Sequence, residues 1–370
     1  MRLVCDPPLL PAWLVTKIKG PALTGVFIVK GTFQLRHGGP VVPHPEPDTP
    51  TGDVYEEENP ERSLRYASDF APMKPKTDLL LVGTCHTPRH RPVEVCPVSF
   101  QVGSWTKRLV VIGDRTWKSS ILESTFTQPE PFTKMPVTYE RAFGGKESPN
   151  NPIGTGLGAN VRMPNIEHPG HLITVRHPKH PPAGFGPLPA QWPQRSANLG
   201  TYDKDWLKKR WPWLPEDFDW SYFNAAPQDQ QLPGYLRGDE PLVLENLLPS
   251  HTRYATSLPS VRPRCFLDEK LDGELRWREV PLRLDTLWID ADSEKLVLVW
   301  RGHVEVRSLK MVELEHLYLA AESLTEPAAS PEQHRETFLK RVPKKFVFVP
   351  EQPSPPEPLT EDEQAMEKEV

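Results

Sequence analysis

Cysteine is scarce in this chain of 370 residues: there are four, at Cys5, Cys85, Cys96 and Cys265. So few argue against a disulfide framework and read as free thiols in a reducing compartment. Long apolar runs are missing as well. The longest, Leu79–Val82 and Leu296–Trp300, are strand-sized and far short of the ~20 residues that span a bilayer. No membrane partner is therefore expected. Basic tracts are lacking too: 44 basic residues face 49 acidic ones for a net charge of −5, so no nucleic-acid partner is expected. The first residues, Met1-Arg2-Leu3-Val4-Cys5-Asp6-Pro7-Pro8, hold no apolar core of a signal peptide. The expected location is the cytoplasm, unless another machine exports the protein. No G-x-S-x-G, P-loop or dinucleotide fingerprint occurs. The Gly154, Gly156, Gly158 cluster lacks the Lys-Ser/Thr of a phosphate loop.

Proline is what the chain has in abundance, with 45 residues spread along its length. Proline lacks an N–H and clashes with the preceding helical turn, so long helices are excluded and strands joined by stiff loops are favoured. Val26–Leu35 alternates, with Phe27, Val29, Phe33 and Leu35 on one face and Lys30, Thr32 and Gln34 on the other. Pro40 to Pro60 reads as a loop. Leu79–Val82 and Leu109–Ile112 have the continuous apolar character of buried strands. Between Val93 and Val102 the alternation slips at Cys96-Pro97, which predicts a bulge or an edge position. Leu282, Leu284 and Trp288 alternate, and the turn-like Asp290-Ala291-Asp292-Ser293 joins them to Leu296–Trp300 as a hairpin. Val304, Val306 and Leu314 continue that sheet. The expected fold is mostly β: packed antiparallel sheets, sandwich or barrel-like, with long ordered loop insertions and few short helices. Residues 1–349 are expected to form one β-rich domain or two tightly packed lobes, roughly 1–135 and 136–349. No internal repeat occurs.

Residues 144–200 are dense in Gly, Pro and Asn, which supply turn geometry. A structureless loop that long does not suit a compact domain unless it is functional, so the region reads as an ordered, loop-built surface. Asp203 to Arg210 reads as a short helix, acids early and bases late as the helix dipole prefers, ended by Trp211-Pro212. Ser330-Pro331-Glu332-Gln333 has the pattern of a capping box, and Phe338, Leu339 and Val342 give the following helix an apolar stripe. Residues 350–370, with five prolines and seven acids, are expected to be a disordered acidic tail.

Several clusters carry possible chemistry. Cys85, His86, His90 and Cys96 lie close together but fit no standard zinc spacing. His168, His171, His177 and His180 are interrupted by Pro and Gly and read as solvated loop residues. No metal and no cofactor is therefore expected. The acid pairs Asp203/Asp205, Asp217/Asp219 and Asp239/Glu240, beside Trp206, Trp211, Trp213 and Trp220, have the ingredients of a glycosidase or lectin; helix starts and turns explain the acids more simply. Tyr139-Glu140-Arg141-Ala142-Phe143, if extended, points Tyr139, Arg141 and Phe143 one way, an aromatic–Arg–aromatic row of the kind found in binding hot spots. The competing explanation is core packing.

The order of motifs makes the sequence specific. Tyr139-Glu140-Arg141-Ala142-Phe143-Gly144-Gly145 is followed by Asn151-Pro152-Ile153-Gly154-Thr155-Gly156 and Met163-Pro164-Asn165-Ile166-Glu167. Further on come Pro182-Ala183-Gly184-Phe185-Gly186-Pro187, Trp192, Arg195, Gly200-Thr201-Tyr202-Asp203, Trp206 and Leu214-Pro215-Glu216-Asp217-Phe218-Asp219. The series closes with Phe223-Asn224-Ala225-Ala226-Pro227-Gln228-Asp229-Gln230-Gln231 and Leu236-Arg237-Gly238-Asp239-Glu240. With Val82-Gly83 and Gly113-Asp114-Arg115-Thr116-Trp117, these cover about residues 10–320. They resemble a bacterial family, long labelled a domain of unknown function, of type VI secretion accessory proteins. Gly83-Thr84-Cys85-His86 departs from the family, whose members more often carry a His-Ala type segment, and the resemblance supplies no catalytic residues. It implies a non-enzymatic adaptor or chaperone that binds a toxic effector and helps load it onto the spike, a VgrG or PAAR-type protein. Tyr139, Glu140, Arg141, Phe143, Trp206 and Trp211 are the expected contact residues. Gly144, Gly145, Asn151, Pro152, Gly154, Asp203, Asp217, Phe218, Asp229, Gln230, Arg237, Gly238 and Glu240 are expected to shape the surface. The alternatives are a carbohydrate-active enzyme or lectin, and a structural component of the secreted spike.

Overall fold

A computed structural model describes residues 2–18, 20–119, 124–271, 274–307, 309 and 314–342. The expected tail at 350–370 lies outside the described residues. Three sheets dominate. The largest runs in the order 231–232, 77–82, 282–290, 295–306, 23–34, 9–16, with 42–43 also pairing to 23–34. Its neighbours are antiparallel except Thr77–Val82 against Leu282–Asp290, which is parallel. A five-stranded antiparallel sheet runs 166–167, 105–112, 95–102, 241–248, 251–257. A four-stranded sheet runs 2–5, 314–323, 261–271, 274–280. The protein is thus mostly β, as expected, and none of the sheets closes into a barrel among the described residues.

One apolar core joins the three sheets. Phe27, Val29 and Phe33 of the large sheet meet Val98, Phe100, Leu109, Leu242 and Leu244 of the second and Leu267, Leu317 and Leu319 of the third. The core therefore draws on both sides of residue 135. The central strand Leu23–Gln34 is covered on both faces rather than half-solvated. Its Val26 and Ile28 enter a second cluster with Tyr66, Leu80 and Trp288. Lys30 on that face is buried, its Nζ donating to Asp69 and to the Thr49 carbonyl at 3.1 Å each. Thr77–Val82 is buried throughout, as a parallel-paired central strand must be.

Two sequence expectations change in detail. Strand Val95–Val102 pairs with Trp105–Ile112 in unbroken register, so there is no bulge at Cys96-Pro97 on that side. Cys96, Val98, Phe100 and Val102 keep one inward phase, and Val95 is simply exposed. Pro97 lies beyond the last paired residue of the 241–248 strand, whose own register shifts between Glu245 and Leu248. In the expected hairpin a register shift falls between Leu284 and Thr286. A bulge changes which face later residues take. Leu284 thus joins the main core while Trp288 joins the second cluster. The helix Pro331–Arg341 starts on the expected capping box from Ser330 and Gln333. It buries His334 and Phe338 and leaves Leu339 exposed.

Candidate functional site

The loops of 139–240 are ordered because side-chain amides and ions tie them to strands. The segment expected to be extended is a 3-10 turn, Tyr139–Arg141, so Tyr139, Arg141 and Phe143 do not form one row. Tyr139 is buried: its N–H donates to Ser63 Oγ at 3.0 Å and its hydroxyl to the Gly186 carbonyl at 3.1 Å. Phe143 is buried among Trp117, Met163 and Ile173. As contact residues both are corrected by the structure, because their rings are consumed by packing. Glu140 accepts the Ser63 N–H at 2.8 Å and its hydroxyl at 2.6 Å. Burial pushes this carboxyl up, but those hydrogen bonds win and hold it below its usual range. Arg141 is half-buried and donates to Asn165 Oδ1 at 3.0 Å.

Asn151 is the centre of the first loop. Its Nδ2 donates to the carbonyls of Tyr139 at 2.8 Å and Phe143 at 3.1 Å. Gly144 and Gly154 are glycines by close approach. A Cβ on the first would sit 2.1 Å from the Asn151 carbonyl, and one on the second 2.2 Å from Asn151 Nδ2. Gly145 has φ of +70°, and Pro152 stays exposed on the turn. A second tie is made by Gln230, whose Nε2 donates to the carbonyls of Leu79 at 2.6 Å and Phe185 at 2.8 Å. Lys107 Nζ donates to Gln230 Oε1 at 2.6 Å and to Asp229 at 2.9 Å. A third is Asp78, which accepts from Lys74, Asn224 and the Ala225 N–H at 2.8–2.9 Å.

The acid pairs all have local partners. Asp203 caps the helix Lys204–Lys209 through the Trp206 N–H. Asp205 pairs with Lys209. Asp217 accepts the Thr201 N–H and hydroxyl at 3.0 and 2.7 Å. Asp219 caps Ser221. Asp239 pairs with Arg237, and Glu240 accepts the N–H groups of Arg237 and Gly238. Phe218 is buried under Trp220, Tyr222 and Phe223. No group of three or more His, Cys, Asp or Glu residues able to hold a metal occurs among the described residues. His168 lies tilted against His171 at 5.2 Å between ring centroids, and His171 stacks on His180 at 5.7 Å. The thiols of Cys85 and Cys96 are both buried; the neighbouring Cys96 thiol and burial together push the Cys85 thiol up.

Leu172, Val175 and Tyr235 are exposed singly, whereas around the helix Lys204–Lys209 three large apolar side chains are exposed close together in sequence, a short platform. Tyr202 is 48 % exposed, Leu207 59 % and Trp211 64 %. Trp206 is half-buried, its Nε1 donating to the Trp213 carbonyl at 2.8 Å, and Trp213 lies under Lys17 at 5.2 Å. Of the expected contact residues, only Trp206 and Trp211 belong to this platform. The same region contains a cleft of about 510 Å³ lined by Lys76, Asn150, Gln194, Arg195, Asn198 and Asn224 among others. Sequence reasoning missed Ser63, Asp78, Lys107 and Asn165, which complete the ties. The signal available for Asp78 and Lys107 was a charged residue set against an apolar strand run.

This is therefore a β protein whose ordered loops present an apolar platform and a polar cleft. Residues 22–301 match the family described as "Uncharacterized protein conserved in bacteria (DUF2169)", and the chain belongs to that family. Neither the search of curated proteins nor that of solved structures returned a match. No described helix is long and apolar enough to cross a membrane.

Proposed function

We propose that the protein is a cytosolic adaptor that binds a type VI secretion effector and helps load it onto the VgrG or PAAR-type spike. The observation that carries this reading is the platform of Tyr202, Leu207 and Trp211, three large apolar side chains exposed within ten residues. Exposed apolar side chains gathered in one place mark binding surfaces, and Trp and Tyr dominate binding hot spots. The platform is held in advance by the Asp203 cap, the Asp217–Thr201 bonds and the Trp206–Trp213 bond, so little entropy is lost on docking. The sequence motifs quoted above support the choice of partner.

The test is co-purification of the effector from the native host with paired thermal melts. Trp211→Ala should leave the melting temperature unchanged and weaken effector binding by about thirtyfold, the cost of a true anchor. Folded Tyr202→Ala, Leu207→Ala and Trp211→Ala variants that all retain the effector would remove the platform from the reading. A glycan array bound by the native protein and lost in Trp211→Ala would replace the adaptor with a lectin.

A further inference from the structure

We propose that the cleft lined by Arg195 and Lys76 docks an extended peptide segment of the partner that presents an acidic side chain to Arg195. The inference rests on the adaptor reading for the partner's identity, but its geometry is independent of the platform.

Three arginines are buried among the described residues: Arg115, Arg195 and Arg301. Arg115 pairs with Glu167 and Arg301 with Asp285. Arg195, 7 % exposed, has no carboxylate within 4 Å among the described residues. Its Nε donates to the Tyr222 carbonyl at 2.9 Å and its Nη1 to the Leu188 carbonyl at 2.8 Å, and the guanidinium lies 5.2 Å over the Tyr222 ring. These contacts fix its direction without neutralising it. Asp53 and Asp78 act on it only from farther off. A buried charge without a close counter-ion is costly, and a cleft wall is where a ligand can supply one. Planar guanidinium groups match carboxylates by geometry as well as by charge.

A buried amide holds one side of the same cleft in place. Asn224 is 1 % exposed; its Nδ2 donates to the Lys76 carbonyl and Asp78, while its Oδ1 has no partner. The rim adds the amides of Asn150, Gln194, Asn198, Gln228 and Gln231, which both donate and accept. Lys76 lines the cleft and has no ion pair among the described residues. The one lining carboxylate, Asp219, is turned to the Ser221 N–H. A sugar is the poorer fit, because the lining aromatic, Tyr139, is buried with its edge on Trp192 and its hydroxyl on Gly186. It offers no open ring face for stacking.

The experiment uses the full chain and two pools of fluorescent octapeptides, amidated at the C-terminus, with random flanks and a fixed central Glu or Gln. Fluorescence anisotropy should show the Glu pool binding at least tenfold more tightly than the Gln pool. Arg195→Met should abolish the preference. Because that variant also loses two internal hydrogen bonds, Lys76→Glu on the rim is the second arm; it should fold normally and lose the preference tenfold or more. Equal binding of the two pools, or a Lys76→Glu variant that keeps the preference, overturns the inference. If no effector co-purifies but the Glu pool still binds, the adaptor reading fails and the cleft stands. If effector co-purifies undiminished with Lys76→Glu and the pools bind equally, the cleft fails alone.

Discussion

Asn151→Ala is the most direct probe of how the loop surface is built. The native amide donates to two buried carbonyls, those of Tyr139 and Phe143. Alanine removes both donors and leaves both acceptors behind. An unsatisfied buried acceptor costs about 1–3 kcal/mol, so the pair together costs about 2–4 kcal/mol once the loop relaxes. Unfolding entropy of about 2.1 cal/mol/K per residue gives roughly 0.8 kcal/mol/K for 370 residues. The expected fall in melting temperature is then about 3–5 °C by calorimetry. Asn151→Asp keeps the shape but turns a carboxylate toward two carbonyls. It should fall further at neutral pH and recover in part as acid protonates the new group. If both variants melt within a degree of the native protein, the amide does not hold the loop, and the account of 139–156 as a pinned structure is refuted.

Asp78→Ala should destabilise more, by about 3–5 kcal/mol, because it leaves the buried Lys74 ammonium without its carboxylate; urea unfolding with an unchanged slope checks this. Glu322 provides a pH test at the helix Pro331–Arg341. Burial raises its carboxyl, but hydrogen bonds from His334, Arg262 and the Ala329 N–H outweigh that and set it below the usual 4.5. A depressed carboxylate contributes stability that is present above the unfolded value and lost as pH falls through the folded one. The helix amides should therefore exchange faster below about pH 4.5, relative to the sheet and after correction for intrinsic rates; equal behaviour of helix and sheet contradicts this. Native titration with an aromatic disulfide reagent should modify Cys5 first. Cys85, Cys96 and Cys265 are buried and should react only on unfolding; rapid reaction of three thiols in the folded protein opposes this.

The sheets were legible because a strand reports burial directly in its side chains. Thr77–Val82 and Leu23–Gln34 carry their apolar runs openly, and Ser330 with Gln333 marks a helix start through a local bond. What was not legible depends on contacts far apart in sequence. The polar face of Leu23–Gln34 reads as solvated, yet Asp69 arrives from 39 residues away to accept from Lys30. The bulge near Asp285 leaves no mark in the residue types but moves Trp288 to another core. Tyr139 and Phe143 have the composition of contact residues. Only the fold shows that Gly186 and Met163 enclose them. The aromatic platform was half legible: Trp206 and Trp211 were expected, whereas Tyr202 and Leu207 were not.

The same reasoning separates two roles that residue type alone confuses. Asn, Gln and Arg recur through 139–240, and Asn151, Asn165, Arg195, Gln230 and Gln231 donate to backbone carbonyls of other segments. Such a network stiffens a surface without touching a partner. Its members should therefore change melting temperature before they change binding. Residues that contact a partner should show the reverse, and they are recognised by what the fold leaves undone. Tyr202, Leu207 and Trp211 keep apolar area in water. Arg195 keeps a buried charge without a close counter-ion among the described residues. Each unmet requirement is a cost in the free protein that a partner of matching chemistry removes on docking. On the proposed reading the two requirements differ in kind, one apolar and one anionic, and a single partner is expected to meet both. The proposed partner would then carry an apolar side chain for the platform and an acidic one for the cleft.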